Sequence, residues 1–507
     1  MITRRNLLLA AATVPLLSSC DSTASTATKS GGTLRAAFIG GGATETLNLF
    51  RGGTTLDFVR ARAMHGTIGD IDPSAPDGVR YGVVERIDSA PDFSTYTLKV
   101  RPGVKFTDGS TVTARDIAFS LNLLATSQAG GYAAFVSDFD LTAAKATDDL
   151  TLVLPTKRPI ADGRQILCLG ASFVVKDGAK EITKDTPTCG PFRLTAFEPG
   201  RGSTLVRNDQ FYGRAPQLDG LELLSIADNA ARLNAVRGGQ ADFAFDLDAT
   251  LVRTIDGDPR LAVRQTSAPS LSALYFSMNI ASPPFDNPKV REAFKLAVNR
   301  QTIVDTAVSG RGQIGNDLFG FGYADYATDI PQRAYDPDRA RALLREAGAD
   351  GFSVALTTGP EAGGLVEAAT LVVEQLNQVG VKATLDQKPA GQLFADLNAY
   401  VRLPFASAYS TPTPPTLYYQ LSYAGGAPFG LGWNRPDVDA LMLKARTSAS
   451  ADERRAAAIQ AQQVLWAEGN AIVPVLKPYL NVSVSNLVGV EKGLLESYPS
   501  FAEASFQ

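Results

Sequence analysis

Thr95–Leu124 reads TYTLKVRPGVKFTDGSTVTARDIAFSLNLL, and two turns and a cap divide it into pieces. Tyr96, Leu98 and Val100 alternate with polar residues, the period of a strand with one buried face. Arg101-Pro102-Gly103 then predicts a hairpin turn leading into Val104 and Phe106, and Asp108-Gly109 a second turn. Thr113 and Asp116, three apart, form a capping-box pair that opens a helix through Leu124.

Toward the C-terminus the pattern becomes alternating strands and helices. Ala273–Asn279 reads as a strand. Asn287-Pro288 supplies an N-cap and a first-turn proline, and Val290, Phe294, Ala297 and Val298 form one apolar stripe. Asp336-Pro337 repeats the device for a helix that stops at Gly348. Phe352–Thr357, Leu365–Val379 (closed by Gly380) and Val381–Leu385 make a strand–helix–strand crossover, which requires parallel strands. Ser450 and Glu453 make another capping box, for a helix to about Glu468. No internal repeat occurs at a fixed period.

The opening stretch resembles the hallmark segment of the extracellular solute-binding proteins of family 5, the peptide- and nickel-type binding proteins of ABC importers. The resemblance continues in order through Cys189-Gly190-Pro191-Phe192, Val206-Arg207-Asn208 with Phe211-Tyr212, and Asn279 with Pro284–Ala293. Asp336-Pro337 with Ala342-Leu343-Leu344, then Gln375-Leu376 with Gly380-Val381, complete it. It implies an α/β fold, the two-lobed periplasmic binding protein-like architecture of the large cluster C type, with an extra subdomain on the first lobe. The expected division is residues 33–75, 187–270 and 480–507 for lobe I, 76–186 for its subdomain and 271–479 for lobe II. Two crossing segments near residues 270 and 480 join the lobes, which close on a ligand by a hinge.

The first residues read as an address. Arg4 and Arg5 precede an apolar run of eleven residues, Leu7–Leu17, too short to span a bilayer. Leu17-Ser18-Ser19-Cys20 resembles a lipobox, which implies removal of residues 1–19, lipidation of Cys20, and a linker over residues 20–32. Thr3–Leu8 also resembles a twin-arginine export signal. Asp21 after Cys20 suggests retention at the inner membrane, hence a periplasmic protein on a lipid tether. Losing two of 48 basic residues leaves 46 against 52 acidic ones, a net charge near −6 that provides no nucleic-acid footprint.

Catalysis and side-chain metal capture find little material. His65 is the one histidine, and no Gly-x-Ser-x-Gly elbow accompanies it, so it reads as a packed residue and the chain as a non-enzyme. One His and few cysteines exclude an ordinary transition-metal site, and no cofactor motif occurs. Asp148-Asp149 reads as a solvated turn. In an oxidising compartment Cys168 and Cys189 are expected to form a disulfide worth about 3 kcal/mol, two buried thiols being the alternative.

In peptide-binding members the resemblance implies an Asp on a lobe II strand that pairs with the peptide's α-ammonium. Here Ala406–Tyr419 places Ser410 there, and no acidic residue occurs between Asp396 and Asp437. Either another carboxylate supplies the charge or the ligand is not a free-amine peptide, since an unpaired buried ammonium costs several kcal/mol. Ser407, Tyr409, Ser410 and Thr411 offer hydroxyls, and Tyr418, Tyr419 and Trp433 offer aromatic surface. Trp466, on an amphipathic helix, reads as core. Glu45, after Gly40-Gly41-Gly42, is the substitute carboxylate facing the cleft. The resulting expectation is a monomeric lipoprotein that captures a peptide-like, opine-like or oligosaccharide solute and delivers it to an ABC permease and ATPase. The alternative is a ligand sensor or chaperone on the same fold.

Overall fold

In the computed structural model, which describes residues 31–51, 53–75, 78–127, 132–169, 172–490 and 498–507, both edges of the strand Thr95–Val100 are taken. Val84–Ser89 pairs on one side and Thr151–Pro155 on the other, both antiparallel. The expected hairpin from Val100 into Val104 and Phe106 therefore does not form. Val104–Phe106 instead folds back across Asp108-Gly109: Val112 donates to the Val104 carbonyl at 2.9 Å and Phe106 to that of Ser110 at 2.8 Å. The Thr113–Asp116 capping box is present, and the helix Ala114–Ala125 follows it. Its Ile117, Leu121 and Leu124 bury against Leu98, Val100 and Leu152. Burial of each such side chain contributes about 1.5–3 kcal/mol, which makes this small four-stranded sheet a core of its own.

Two larger sheets carry the rest. The first has seven strands in the order 261–265, 480–484, 243–244, 33–38, 220–225, 202–207, 192–198. The second has six, in the order 313–314, 471–477, 272–278, 405–410, 353–358, 382–387. Each sheet is the centre of one lobe. In the second, Ser353–Thr358 and Lys382–Gln387 run parallel, joined by the helix Leu365–Gln378, the crossover its sequence predicts. Asn287 and Asp336 cap their helices by accepting from Lys289 N at 3.0 Å and Arg339 N at 2.9 Å. Phe276, Phe285, Phe294 and Phe405 meet beneath this sheet with ring centroids 5.1–6.5 Å apart.

The segments 266–271 and 478–479 pass between the sheets. Leu261–Gln265 lies antiparallel to Leu480–Val484 in the first sheet, and Ser272–Met278 to Ala471–Lys477 in the second. Tyr479 N donates to Thr266 Oγ1 at 3.0 Å, tying the crossings together.

A buried ion network fastens the long loop after residue 314 to the second lobe. Asp317 accepts from Arg300 at 2.7 Å, from Arg333 at 2.6 Å and from Val473 N at 3.0 Å. Further along, Gln462 donates to the Asp325 carbonyl at 2.7 Å and accepts from Ala327 N at 3.0 Å. The loop is thereby pinned to the helix Ala451–Glu468, and its residues Tyr323–Asp325 reach the boundary between lobes. No helix among the described residues is long and apolar enough to cross a membrane. Arg4, Arg5, the lipobox and Cys20 lie outside the described residues.

Candidate functional site

The two lobes touch beyond the crossings, and three sets of contacts join them. Nearest the crossings, Asp246 of the first lobe is buried in a left-handed conformation (φ 43°) and pairs with Lys477. Its second carboxylate oxygen accepts from Gly363 N at 3.3 Å, and Asp248 accepts from Gly364 N at 3.1 Å. Gly364, at φ 81°, is the N-cap of Leu365–Gln378, so two first-lobe carboxylates cap a second-lobe helix at its positive end. Proximity disfavours a side chain at Gly364 as well, since a Cβ there would stand 2.8 Å from the Ala307 carbonyl. Burial pushes the Asp248 carboxyl up despite its bond from Gly364.

The second contact joins Tyr409, on the strand Phe405–Ser410, to Thr55 at the start of the helix Thr55–Met64. Burial pushes the Tyr409 hydroxyl up to about 12, so it stays neutral. The third is Arg446 of the helix Pro436–Thr447, which ion-pairs with Asp162 at 2.6 Å and Asp138 at 2.8 Å, both from the first lobe.

Beside this pair, at the lobe boundary, lies a cavity of about 440 Å³. The first lobe contributes Ile71, Gly78 and Asp162; the second contributes Tyr323, Asp325 and Thr416. Burial is the main influence on Asp325 and pushes its carboxyl up to about 6, against the backbone and hydroxyl donors of Thr416. Arg454 and Arg455 stand at its edge. Mostly apolar walls with a few fixed polar groups are what a small-solute site needs.

The residues singled out from sequence are distributed unevenly around this cleft. Tyr409 reaches the lobe boundary, as described. Ser410 is buried, its hydroxyl accepting from Ala273 N at 3.3 Å, and Thr411 meets Thr413 Oγ1 at 3.3 Å. Ser407 is fully buried and donates to Thr358 Oγ1 at 2.8 Å. Tyr418 stacks on Phe319 with centroids 3.9 Å apart, inside the second lobe. Trp433, 2% exposed, donates to the Tyr419 hydroxyl at 3.3 Å in the same aromatic cluster. Both are packed, because residues 415–433 fold over the sheet as helix and short turns and face their rings inward. Trp466 is half-buried, with the Arg333 guanidinium 4.0 Å from its ring.

Glu45 does not stand open toward a ligand, a correction to the expectation. It is buried against Arg60 at 3.1 Å and accepts from Ser225 at 2.6 Å, while Asp57 holds the other side of Arg60 at 2.6 Å. A buried guanidinium needs both carboxylates. Cys168 and Cys189 are likewise buried as thiols and not as the expected disulfide. Each packs against a different glycine: a Cβ on Gly69 would meet Cys168 Sγ at 2.6 Å, and one on Gly66 would meet Cys189 Sγ at 2.9 Å. His65 is buried, and desolvation pushes it down to about 4. Asp148 and Asp149 are exposed, and Asp148 accepts from Leu150 N in a turn. Among the described residues no cluster of three or more His, Cys, Asp or Glu side chains is placed to hold a metal.

Sequence reasoning missed Asp246, Asp248, Asp325 and Arg446. Each is an ordinary charged residue in a turn, loop or helix end, and only the apposition of the lobes distinguishes it.

Two α/β lobes joined by paired crossings, with a cavity between them, define a hinged solute-binding protein. The chain belongs to the bacterial extracellular solute-binding proteins, family 5, whose model matches residues 78–429. Such proteins bind small solutes and work with the permease and ATPase components of ABC importers; they are extracytoplasmic receptors, not enzymes. The glutathione-binding protein GsiB of Pectobacterium atrosepticum is 28% identical over 436 residues, 80% of this chain and 82% of that protein. A dipeptide-binding protein from a Pseudoalteromonas species, solved with Met-Leu, superposes with a TM-score of 0.82 at 17% identity, covering 94% of this chain and 100% of its own. The A. tumefaciens protein AgaA, solved with agropinic acid, gives 0.80 at 21% identity, covering 94% and 99%.

Proposed function

We propose that this chain captures a small amino-acid-derived solute, peptide-like or opine-like, between its lobes and delivers it to an ABC permease. It acts as a monomer tethered outside the inner membrane by a lipid on Cys20. Lobe I comprises residues 33–75, 187–270 and 480–507, its subdomain 76–186, and lobe II 271–479. The observation that carries this reading is the roughly 440 Å³ cavity at the lobe boundary, with walls drawn from both lobes. Glutathione, a dipeptide and agropinic acid, which the relatives' names and structures carry, are all amino-acid derivatives, and this supports the class. The oligosaccharide alternative has less behind it, because Trp433, which offered aromatic surface for a sugar or another ligand ring, is packed inside the second lobe.

Native mass spectrometry of the protein as purified tests the reading. The expected result is a retained nitrogen-containing small molecule that leaves on denaturation. Retention of a nitrogen-free sugar would overturn it. Metabolic labelling with an alkyne-tagged fatty acid, in wild type and Cys20→Ala, tests the tether: the label is expected on the first and absent from the second.

A further inference from the structure

We propose that Asp325 is the counter-ion of the interlobe cavity, and that the solute carries a cationic nitrogen, an ammonium or guanidinium, which rests against it. This rests on the reading of that cavity as the solute site.

Several buried carboxylates elsewhere in the protein have cations of their own, while Asp116 is held by the neutral donors of its capping box and Asp177 N. Asp317 has Arg300 and Arg333; Asp57 and Glu45 share Arg60; Asp70 has Arg62 and Arg80; Asp246 has Lys477. Across the cavity, Asp162 is matched by Arg446. Asp325, half-buried in the cavity wall, makes no ion pair among the described residues: its donors are Thr416, through backbone and hydroxyl, and its own backbone, all neutral, and the like charge of Asp162 acts on it from the first lobe. Burial without a cation disfavours the carboxylate, and the group has been raised accordingly. The two nearby arginines do not relieve it. Arg455 donates to the Ala324 carbonyl at 3.3 Å, and Arg454 to the Ser448 and Ala449 carbonyls at 2.9 Å.

The carboxyl is also held in place. Gln462 grips the Asp325 and Ala327 backbone, so the loop cannot swing the side chain to a distant partner without breaking those bonds. A fixed carboxylate beside an open, mostly apolar space lacks only a cation, and a ligand entering from solvent can bring one. A charge-assisted hydrogen bond there is stronger than a neutral one. Asp325 also stands beside Thr416, in the stretch whose lack of acid argued against an amine-bearing ligand. The charge absent from that stretch is supplied by a loop almost a hundred residues earlier.

The test uses the full chain and two tripeptide pools without Lys, Arg or His, one with free amino termini and one N-acetylated. Both are offered together at pH 7.5, and captured species are counted by mass spectrometry. Wild type is expected to favour the free-amine pool by about tenfold or more, the ratio that 1.4 kcal/mol gives. Asp325→Asn, which still accepts from Thr416, is expected to lose the preference, and Asp325→Glu to keep most of it. Equal capture of both pools, or a preference unchanged in Asp325→Asn, would overturn the role of Asp325 while leaving the peptide-like class standing. Capture of neither pool by wild type would overturn the amine-bearing solute and that class together.

Discussion

Arg446 of the second lobe stands 2.6 Å from Asp162 of the first, with Asp138 2.8 Å from its other side, and the guanidinium is almost fully enclosed. Ala161 N also donates to the Arg446 carbonyl at 2.7 Å. These bonds cross the lobe boundary, so opening the lobes there must break them. Removing one partner of such a set leaves buried charge uncompensated, at a cost of about 3–5 kcal/mol. Arg446→Ala is therefore expected to shift the protein toward an open form. Small-angle scattering should show a larger radius of gyration, and each lobe should keep its secondary structure by circular dichroism. An unchanged radius would mean that these bonds do not govern closure.

Glu45 and Asp57 flank Arg60 inside the first lobe. Glu45→Ala should lower stability by about 3 kcal/mol, read as a shifted urea midpoint. Solute affinity measured well below that midpoint should change little, since Glu45 faces Arg60 and not the cavity.

Asp325 links stability to pH. Its folded value, about 6, lies above the ordinary carboxylate value of about 3.9, so the folded protein keeps this proton longer than the unfolded chain. Stability from this group is full below about pH 4 and is lost as pH rises to about 6. Without bound solute, Asp325→Asn should stabilise the protein by about 2 kcal/mol at pH 7.5 and hardly at all at pH 4, as chemical denaturation at the two pH values would show.

Lys295 gives the opposite slope. Burial pushes its ammonium down to about 7, despite the Asp317 charge, and its Nζ donates to the Trp466 carbonyl at 3.0 Å. The unfolded chain holds this proton up to about pH 10 while the folded one releases it near 7, so stability should rise between those values. Lys295→Met should flatten that rise in the pH profile of the denaturation midpoint.

Cys189 is buried, and desolvation pushes its thiol up to about 12. With no bridge to Cys168, dithiothreitol should leave the melting temperature unchanged. Ellman's reagent at pH 8 should label neither thiol until denaturant is added.

Much of the architecture was legible because it is written locally. Caps at Thr113, Asn287 and Asp336, the glycine stop at 348 and the crossover from residue 353 to 387 each depend on neighbours a few positions apart. The hairpin after Val100 was misread for a non-local reason. A strand's alternation says that it pairs, not with whom, and both edges of Thr95–Val100 were taken by strands from elsewhere.

The candidate site divides the same way. Tyr409 reaches the lobe boundary, whereas Tyr418 and Trp433, singled out from the same stretch as aromatic surface, are packed inside the second lobe. Composition cannot tell a ring facing a ligand from one facing a core.

The sequence by itself determined the class: hydrophobic periodicity, caps and ordered family motifs are short-range properties, and they specify two α/β lobes built to bind and not to react. Tertiary structure decided which charges matter. Arg446 meets Asp162 across 284 positions, and Asp246 meets Lys477 across 231. Asp325 shares its cavity with the first lobe's Asp162, 163 positions away in sequence. Charge pairing depends on distance and desolvation in space, and neither is encoded by the residues on either side.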